Sequence, residues 1–165
     1  MLITPLTGNH DRAGFDCGRA ELNDWLRKVA RQHRDKGLSR TFVAVRDEEP
    51  ALVCGYFALT LAEVITTSLP QSRQRKLPRV IPGVRLGRLA VDRRYQGMRL
   101  GELMLMNAIE RTRQIHEQAG VVGLFVDAID ELAAKFYAHF GFEAFADEPL
   151  KMFLPIHRTN MLRTA

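Results

Sequence analysis

Residues Leu86 to Gly101 read LGRLAVDRRYQGMRLG, and their types and spacing favour an anion-binding turn. The stretch opens with an apolar run typical of a buried central strand, made of Leu86, Leu89, Ala90 and Val91. The run ends at Asp92 to Arg94, whose charges we expect to leave the protein interior. Gln96, Gly97 and Gly101 then let the main chain approach a ligand where the first amides of the next helix lack acceptors. Such amides, at the positive end of the helix dipole, suit a pyrophosphate.

A second candidate for chemistry is Tyr137, in the stretch DELAAKFYAHFGF from Asp130 to Phe142. The pattern predicts a short helix that ends at Gly141. Its apolar face consists of Ala133, Phe136 and Phe140. Tyr137 lies beside that face, a placement that by itself fits a half-buried aromatic residue as well as a catalytic phenol.

The loop carries neither of the two common nucleotide fingerprints, because it has no G-x-G-x-x-G and no Gly-Lys-Ser/Thr ending. It resembles motif A of the GNAT acetyltransferases, Gln/Arg-x-x-Gly-x-Gly/Ala, in the window Gln96-Gly97-Met98-Arg99-Leu100-Gly101. The resemblance implies that these six residues bind the pyrophosphate of acetyl-CoA on main-chain amides. It also implies that the pantetheine amides of acetyl-CoA bind main-chain groups of Leu89, Ala90 and Val91.

Arg99 departs from motif A, since it stands where the family has its middle glycine. If that position needs a positive φ, an arginine there costs about 1 kcal/mol or more. Alternatively, its guanidinium pairs with a phosphate and offsets the loss. The sequence leaves both readings open.

The A-x-x-F-Y-x-x-x-G-F pattern around Tyr137 resembles motif B of the same family. In that motif the tyrosine hydroxyl lies near the sulfur of acetyl-CoA and protonates the departing thiolate. The resemblance therefore implies a catalytic role for Tyr137.

Strands and helices alternate along the chain. We expect strands over residues 1–6, 41–45, 52–61, 86–91, 121–126, 142–145 and 150–154. We expect helices over residues 21–34 and 100–117 besides the Tyr137 helix, and a basic, proline-containing loop over residues 71–83. This order predicts the α/β class, as an α+β mixed sheet covered by helices, in a single domain over residues 1–165. The GNAT resemblance adds two central parallel strands that splay apart around the pantetheine.

Length and composition fit one domain, because 165 residues with 46% hydrophobic residues can bury a substantial core. Cys17 and Cys54 are isolated and lack CxxC or His spacing, so neither a metal site nor a disulfide is expected. No apolar run approaches the roughly 20 residues of a membrane span, and residues 1–10 lack a signal-peptide core. We therefore expect a cytoplasmic protein with no membrane partner.

The N-terminal part narrows the resemblance to the GNAT toxins of type II toxin–antitoxin modules. The matching stretches are FDCG at residues 15–18, LNDWL at 22–26, SRTFVAV at 39–45 and GYFAL at 55–59. The resemblance implies acetyl transfer to the α-amine of an aminoacyl-tRNA, a ribbon-helix-helix antitoxin as partner, and a homodimer. Two alternatives stay open: a GNAT enzyme for a small amine or a protein N-terminus, and a non-catalytic module with a degenerate CoA loop.

Charge is distributed unevenly. Residues 1–100 hold 18 Lys/Arg against 10 Asp/Glu, whereas residues 101–165 hold 6 against 9. The basic part is suited to the phosphates of a tRNA acceptor stem, and the candidate substrate contacts are Lys36, Arg40, Arg88 and Arg94. A solvated basic surface that attracts anionic CoA explains the same charge.

Overall fold

The computed structural model describes residues 1–156, in which helices flank a mixed sheet. The strands are β1 (Leu2–Pro5), β2 (Arg40–Val45), β3 (Gly55–Ile65), β4 (Val80–Val91), β5 (Gly123–Asp127), β6 (Glu143–Ala144) and β7 (Lys151–Pro155). The helices are α1 (Ala20–Lys28), α2 (Ala30–Asp35), α3 (Leu100–Ala119) and α4 (Glu131–His139). Single 3₁₀ turns lie at Thr66–Ser68, Gln71–Arg73 and Arg93–Tyr95.

The strand order in the sheet is β1-β2-β3-β4-β5-β7-β6. β4 and β5 run parallel, whereas β1–β2, β2–β3, β5–β7 and β6–β7 pair in antiparallel register. The predicted α/β class with a mixed sheet is therefore confirmed.

The parallel pairing of β4 with β5 is short. β4 has 12 residues, but its register against β5 runs only from Val84, opposite Leu124, to Leu86, opposite Val126. Over residues 87–91, β4 therefore continues without a β5 register in the described chain. Main-chain groups on that edge are left available to a ligand.

Contacts divide the chain into two compact units, the first made of Met1–Thr60 with Gly87–Ala108. Its core surrounds Trp25 and Tyr56, whose rings stack with their centroids 5.9 Å apart. The Tyr56 hydroxyl donates a hydrogen bond to Leu22 O at 2.6 Å, which fixes α1 to β3. The other buried members of this core are Leu6, Phe15, Leu26, Ala30, Val43, Val45, Val53, Ala58 and Ala90.

The second unit consists of Leu61–Leu86 with the chain from Ile109 onward. Its buried core is formed by Val64, Leu69, Ile81, Phe125 and Phe153. The rings of Phe125 and Phe153 stack with centroids 4.8 Å apart. A Cβ at Gly83 would lie 2.2 Å from the Phe125 ring, so β4 needs glycine at this point of its pairing with β5.

The helix expected over residues 21–34 is corrected in its continuity, because the structure divides it at Val29 into two helices, α1 and α2. The φ and ψ of Val29, −116° and −40°, interrupt the helical geometry. Near the break the Arg12 guanidinium donates to Arg27 O at 3.0 Å, which gives that carbonyl a partner outside the helix.

Two further boundaries are corrected. The strand expected over residues 52–61 lies at Gly55–Ile65, and the loop expected over residues 71–83 ends before Val80, where β4 begins. Pro82 lies within β4 because its carbonyl still accepts a hydrogen bond, from Val122 N–H at 2.9 Å. No helix within residues 1–156 combines the length and apolar character needed to cross a bilayer.

Candidate active site

The loop after β4 is organised around Asp92, which we expected at the surface and which is instead only 2% exposed. Its carboxylate accepts hydrogen bonds from the Arg94 main chain at 3.0 Å and from the Arg94 guanidinium at 2.9 and 3.1 Å. It also accepts one from Asp16 N–H at 3.1 Å. Burial raises the pKa of Asp92, but these bonds outweigh burial and hold the pKa below its usual value. The expectation failed because a carboxylate can stay buried when donors satisfy its oxygens.

Gln96 belongs to the predicted pyrophosphate loop, and its side-chain amide is engaged within the protein. Nε2 donates to Val91 O at 2.9 Å and to Cys17 O at 3.1 Å. The side chain thereby ties the end of β4 to the N-terminal segment. Gln96 therefore shapes the loop, a role for which its place in the motif gave no signal.

The predicted anion site is built on main-chain conformation. Gly97 and Arg99 have φ values of 80° and 61°, and the first bond of α3 runs from Leu103 N–H to Arg99 O at 3.1 Å. The N–H groups of Leu100 and Gly101 lie in the first turn, where the helix provides no acceptor. Arg99 has no side-chain oxygen to cap them, so they remain donors for an anion.

The side chains around this turn favour a phosphate. Arg99 is exposed, and within residues 1–156 its guanidinium has no ion pair or hydrogen bond. A Cβ at Gly97 would meet nothing within 4 Å, and Met98 is 66% exposed, so the outer side of the turn is open. The N–H groups of Leu100 and Gly101, next to the guanidinium of Arg99, are therefore suited to bind a diphosphate.

The strand residues predicted to contact pantetheine differ in which edge their main-chain groups face. Asp92 N–H donates to Cys54 O at 2.9 Å, on the side of β3. Because main-chain groups alternate between the two edges of a strand, those of Ala90 also face β3, whereas those of Leu89 and Val91 face the other edge. Leu89 therefore offers its main-chain groups, and Val91 its N–H, to a ligand on the edge without a β5 register, since the Val91 carbonyl already accepts from Gln96. Ala90 fills the core.

Tyr137 is held by the way α4 ends. Phe142 N–H donates to Tyr137 O at 3.2 Å and Gly141 N–H donates to Ala138 O at 3.0 Å, the two bonds of a Schellman motif. Gly141 has a φ of 95°, which this motif requires and which an L-residue adopts only with strain. The rings of Tyr137 and Phe142 pack edge to face with centroids 5.4 Å apart. The FYAHFGF sequence thus fixes Tyr137 through the helix end, a signal that was readable from Gly141 and Phe142.

The environment of Tyr137 keeps its phenol protonated. The residue is 7% exposed, and burial raises its pKa to about 12. Its hydroxyl has no hydrogen-bond partner in the described part of the chain, although Phe136 and Phe142 pack against the ring. At neutral pH this group is a hydrogen-bond donor and proton source that a ligand can engage.

The four predicted substrate cations fall into two pairs. Lys36, after α2, and Arg40, at the start of β2, are exposed and make no ion pair in residues 1–156. Arg88 instead lies over the Trp25 ring, 4.3 Å from its centroid, where burial lowers the pKa of the guanidinium. Arg94 is bonded to Asp92 as described above. Lys36 and Arg40 therefore have the freer charges.

The two cysteines are free thiols, Cys54 buried and Cys17 partly exposed, and burial raises the pKa of each. No cluster of three or more His, Cys, Asp and Glu residues in the described chain is arranged to hold a metal ion.

The chain thus has a mixed sheet with one short parallel pairing, an amide-lined turn after β4 and, on α4, a protonated tyrosine. Each is a feature of acetyltransferases of the GNAT class. A family model described as "Acetyltransferase (GNAT) domain" matches residues 37–144, and the chain belongs to this family. It is an N-acetyltransferase that uses acetyl-CoA as cosubstrate.

Two curated relatives are named as a toxin or a probable toxin. The chain is 38% identical to a tRNA-acetylating toxin of Mycobacterium tuberculosis over 144 residues, which cover 87% of this chain and 85% of that protein. It is 28% identical to the probable toxin TacT of Sinorhizobium fredii over 165 residues, covering 94% of this chain and 91% of that protein.

Solved structures agree over almost the whole chain. AtaT complexed with acetyl-methionyl-tRNAfMet has a TM-score of 0.89 at 33% identity, covering 98% of both chains. A tyrosine-to-phenylalanine variant of KacT has a TM-score of 0.90 at 28% identity, covering 99% of this chain and 98% of that one. AtaTR bound with AcCoA has a TM-score of 0.82 at 34% identity, covering 98% of this chain and 97% of that one.

Proposed function

We propose that this protein is a toxin that transfers the acetyl group of acetyl-CoA to the α-amine of an amino acid esterified to tRNA, and so blocks translation. The observation that carries the proposal is the 38% identity to a tRNA-acetylating toxin over 87% of the chain. The structure of AtaT with acetyl-methionyl-tRNAfMet, similar over 98% of the chain, supports the same substrate class.

The cosubstrate supplies an activated acetyl thioester. On its diphosphate, the free amides of Leu100 and Gly101 and the guanidinium of Arg99 provide hydrogen bonds and charge. The main-chain groups of Leu89 and the N–H of Val91, on the open edge of β4, align its pantetheine in the manner of an added strand. The N–H of Val91 is also the candidate donor that polarises the thioester carbonyl.

Tyr137 acts as the general acid in this proposal. Its hydroxyl, protonated because its pKa is about 12, donates to the sulfur as the carbon–sulfur bond breaks. The attacking amine releases one proton as the new amide bond forms, and this proton replaces the one that the phenol has given to the sulfur. Tyr137 therefore ends the reaction in the protonated state in which it began.

The acceptor requires no strong base from the protein. An α-amine has a pKa of about 7.7 to 8.0 in peptides, so an appreciable fraction of it is neutral at pH 7. A lysine side chain, with a pKa of about 10.4, would need a positioned carboxylate. A site built from amides and one phenol thus suits an α-amine better than a lysine.

The exposed cations Lys36 and Arg40 are the proposed contacts to tRNA phosphates. Each neutralised phosphate releases counterions, so binding and transfer weaken as salt rises. Arg88 and Arg94 are proposed to act indirectly, because their guanidinium groups already contact Trp25 and Asp92.

The proposed partners are inferred from the complexes of similar proteins. A neighbour in the solved structures is AtaT bound to the C-terminus of the antitoxin AtaR, which supports an antitoxin partner for this chain. We propose that this antitoxin has a ribbon-helix-helix domain, that the toxin is a homodimer, and that it acts in the cytoplasm, where charged tRNA is found.

The test is to incubate the protein with acetyl-labelled acetyl-CoA and a mixture of aminoacylated tRNAs, then release and identify the labelled product. We expect N-acetylated aminoacyl groups, no label on the same tRNAs after deacylation, and a rate that falls with added salt. If label appears on small amines or on a peptide N-terminus and none on charged tRNA, those amines and not aminoacyl-tRNA are the substrate class. Absence of acetyl-CoA binding would refute the enzymatic proposal altogether.

A further inference from the structure

We propose that the segment Phe15–Gly18, called here the FDCG segment, is a positioning element for the cosubstrate loop of residues 92–101. The inference rests on the proposed binding of acetyl-CoA at that loop. The segment lies outside residues 37–144, which the family model matches, so the family description assigns it no role.

Three hydrogen bonds join the FDCG segment to the loop. Asp16 N–H donates to Asp92 Oδ2 at 3.1 Å, and Arg93 N–H donates to Asp16 O at 2.9 Å. Gln96 Nε2 donates to Cys17 O at 3.1 Å while also holding Val91 O. The Arg93 guanidinium lies 3.7 Å from the Asp16 carboxylate, which adds a weak ion pair. The loop is thus attached at its beginning and immediately before Gly97.

The segment is itself held rigidly. Asp16 Oδ1 accepts hydrogen bonds from Gly18 N–H and from Asn23 Nδ2, both at 2.9 Å. Asn23, on α1 and only 8% exposed, accepts from Cys17 N–H at 2.9 Å. Phe15 is 1% exposed in the core of the first unit, and its carbonyl accepts from Arg27 at 2.8 Å. A continuous set of bonds therefore runs from the core through α1 and the segment to the loop.

This support matters because the loop carries strain. Arg99 adopts a left-handed conformation, which persists only when the surroundings fix it. A loop released from the segment would have to be ordered when the diphosphate binds, and that ordering costs affinity. The amide donors would then bind acetyl-CoA more weakly, whereas the chemical step at Tyr137 would be unchanged once the cosubstrate is bound.

The test compares acetyl-CoA with acetyl-pantetheine as acetyl donors, in one variant of the cosubstrate loop and one of the FDCG segment. Gln96→Ala removes the bonds to Cys17 O and Val91 O, and Asp16→Ala removes those that shape the segment. For both variants we expect the Kd and KM for acetyl-CoA to rise about tenfold, since each loses two hydrogen bonds. In Asp16→Ala, whose side chain bonds to Gly18 and Asn23, kcat should be unchanged, and turnover of acetyl-pantetheine, which lacks the diphosphate, should match that of the unmodified protein.

The charge of Asp16 also distinguishes a positioning role from a purely electrostatic one. Asp16→Ala also removes a negative charge beside an anion site, so simple electrostatics predicts tighter binding, opposite to the positioning role. Asp16→Asn keeps the oxygen acceptor without the charge and should restore affinity. Gln74→Ala is the matched control, because Gln74 Nε2 bridges Leu69 O at 2.7 Å and Thr67 O at 3.3 Å in the loop between β3 and β4. Its affinity for acetyl-CoA should equal that of the unmodified protein.

Gln96→Ala should fold normally, because the side chain of Gln96 is exposed. If its affinity for acetyl-CoA is unchanged, the positioning role is overturned. For Asp16→Ala, an equal loss of activity with acetyl-CoA and acetyl-pantetheine, or tighter binding of acetyl-CoA, would also overturn it. Failure of the unmodified protein to bind acetyl-CoA is a different result, and it would refute the proposed function instead.

Discussion

Arg99→Gly separates strain from binding at the cosubstrate loop. An L-residue in the left-handed region costs about 1–2 kcal/mol, and Arg99 has a φ of 61°. Glycine relieves that cost but loses about 0.5–1 kcal/mol through its greater freedom in the unfolded chain. The guanidinium makes no ion pair within residues 1–156, so the expected net gain in the free energy of unfolding is about 0.5–1 kcal/mol.

The same substitution should weaken binding of CoA. An exposed pair between a guanidinium and a phosphate contributes about 0.2–1 kcal/mol, so loss of Arg99 should raise the Kd about two- to fivefold at low salt. The effect should shrink as salt screens the charges. Isothermal titration calorimetry at two salt concentrations measures the Kd, and chemical denaturation measures the stability.

Lys76 provides the matched control, because with a φ of 63° it is the other non-glycine residue at positive φ in the described chain. Lys76→Gly should give a similar gain in stability with no change in the Kd for CoA. If Lys76→Gly stabilises the protein and Arg99→Gly does not, the strain argument at Arg99 is refuted. Tighter CoA binding by Arg99→Gly would show that the glycine of the motif, and not the guanidinium, is what the diphosphate requires.

The remaining predictions concern the tyrosine helix and the buried acid. Tyr137→Phe should lower kcat about 10²- to 10⁴-fold with the KM for acetyl-CoA unchanged, measured by steady-state kinetics; near-normal turnover would remove Tyr137 from the mechanism. In the same variant, an ultraviolet titration of the folded protein should lose a phenol that ionises near pH 12. Because this pKa lies above the value of about 10 for tyrosine in the unfolded chain, the stability that the buried phenol contributes is present below pH 10 and is lost as pH rises through about 12. Gly141→Ala should cost about 1–2 kcal/mol of stability and also lower kcat, because Gly141 has a φ of 95° and a Cβ there would lie 3.4 Å from Leu154. The control is Gly37→Ala, which should cost stability only, because Gly37 has a φ of 70° and open space around it. Folding lowers the pKa of Asp92, so its contribution to stability is present above its unfolded pKa of about 3.9 and is lost as pH falls through its lower folded pKa. Asp92→Asn should therefore flatten the acid side of a curve of stability against pH. An unaltered curve would contradict the role of its hydrogen bonds.

The elements with strong periodicity and clear ends were predictable from the sequence. The helix expected over residues 100–117 is α3, Leu100–Ala119, and the tyrosine helix ends before Gly141 as expected. Both depend on local signals, namely an apolar repeat and a glycine that stops the helix. The strand, loop and helix order around the cosubstrate loop follows from such signals as well.

What the sequence did not reveal depends on partners far apart in the chain. Asp16 and Asp92 are 76 residues apart, and no local pattern indicates that the N–H of one satisfies the buried carboxylate of the other. The extension of β4 back to Val80 was missed because Pro82 and Gly83 indicate a loop locally. Packing on Phe125 and the hydrogen bond that the Pro82 carbonyl accepts from Val122 keep them in the strand. Tertiary contacts overrode local preference at each of these places.

The most direct test of the central claim, that main-chain amides of the cosubstrate loop bind the diphosphate of CoA, is a nuclear magnetic resonance titration of the ¹⁵N-labelled protein. We expect the amide signals of Gly97, Leu100 and Gly101 to move strongly on addition of CoA and of dephospho-CoA, and to stay in place on addition of pantetheine. Saturation with CoA that leaves these three amide signals unmoved would contradict that claim.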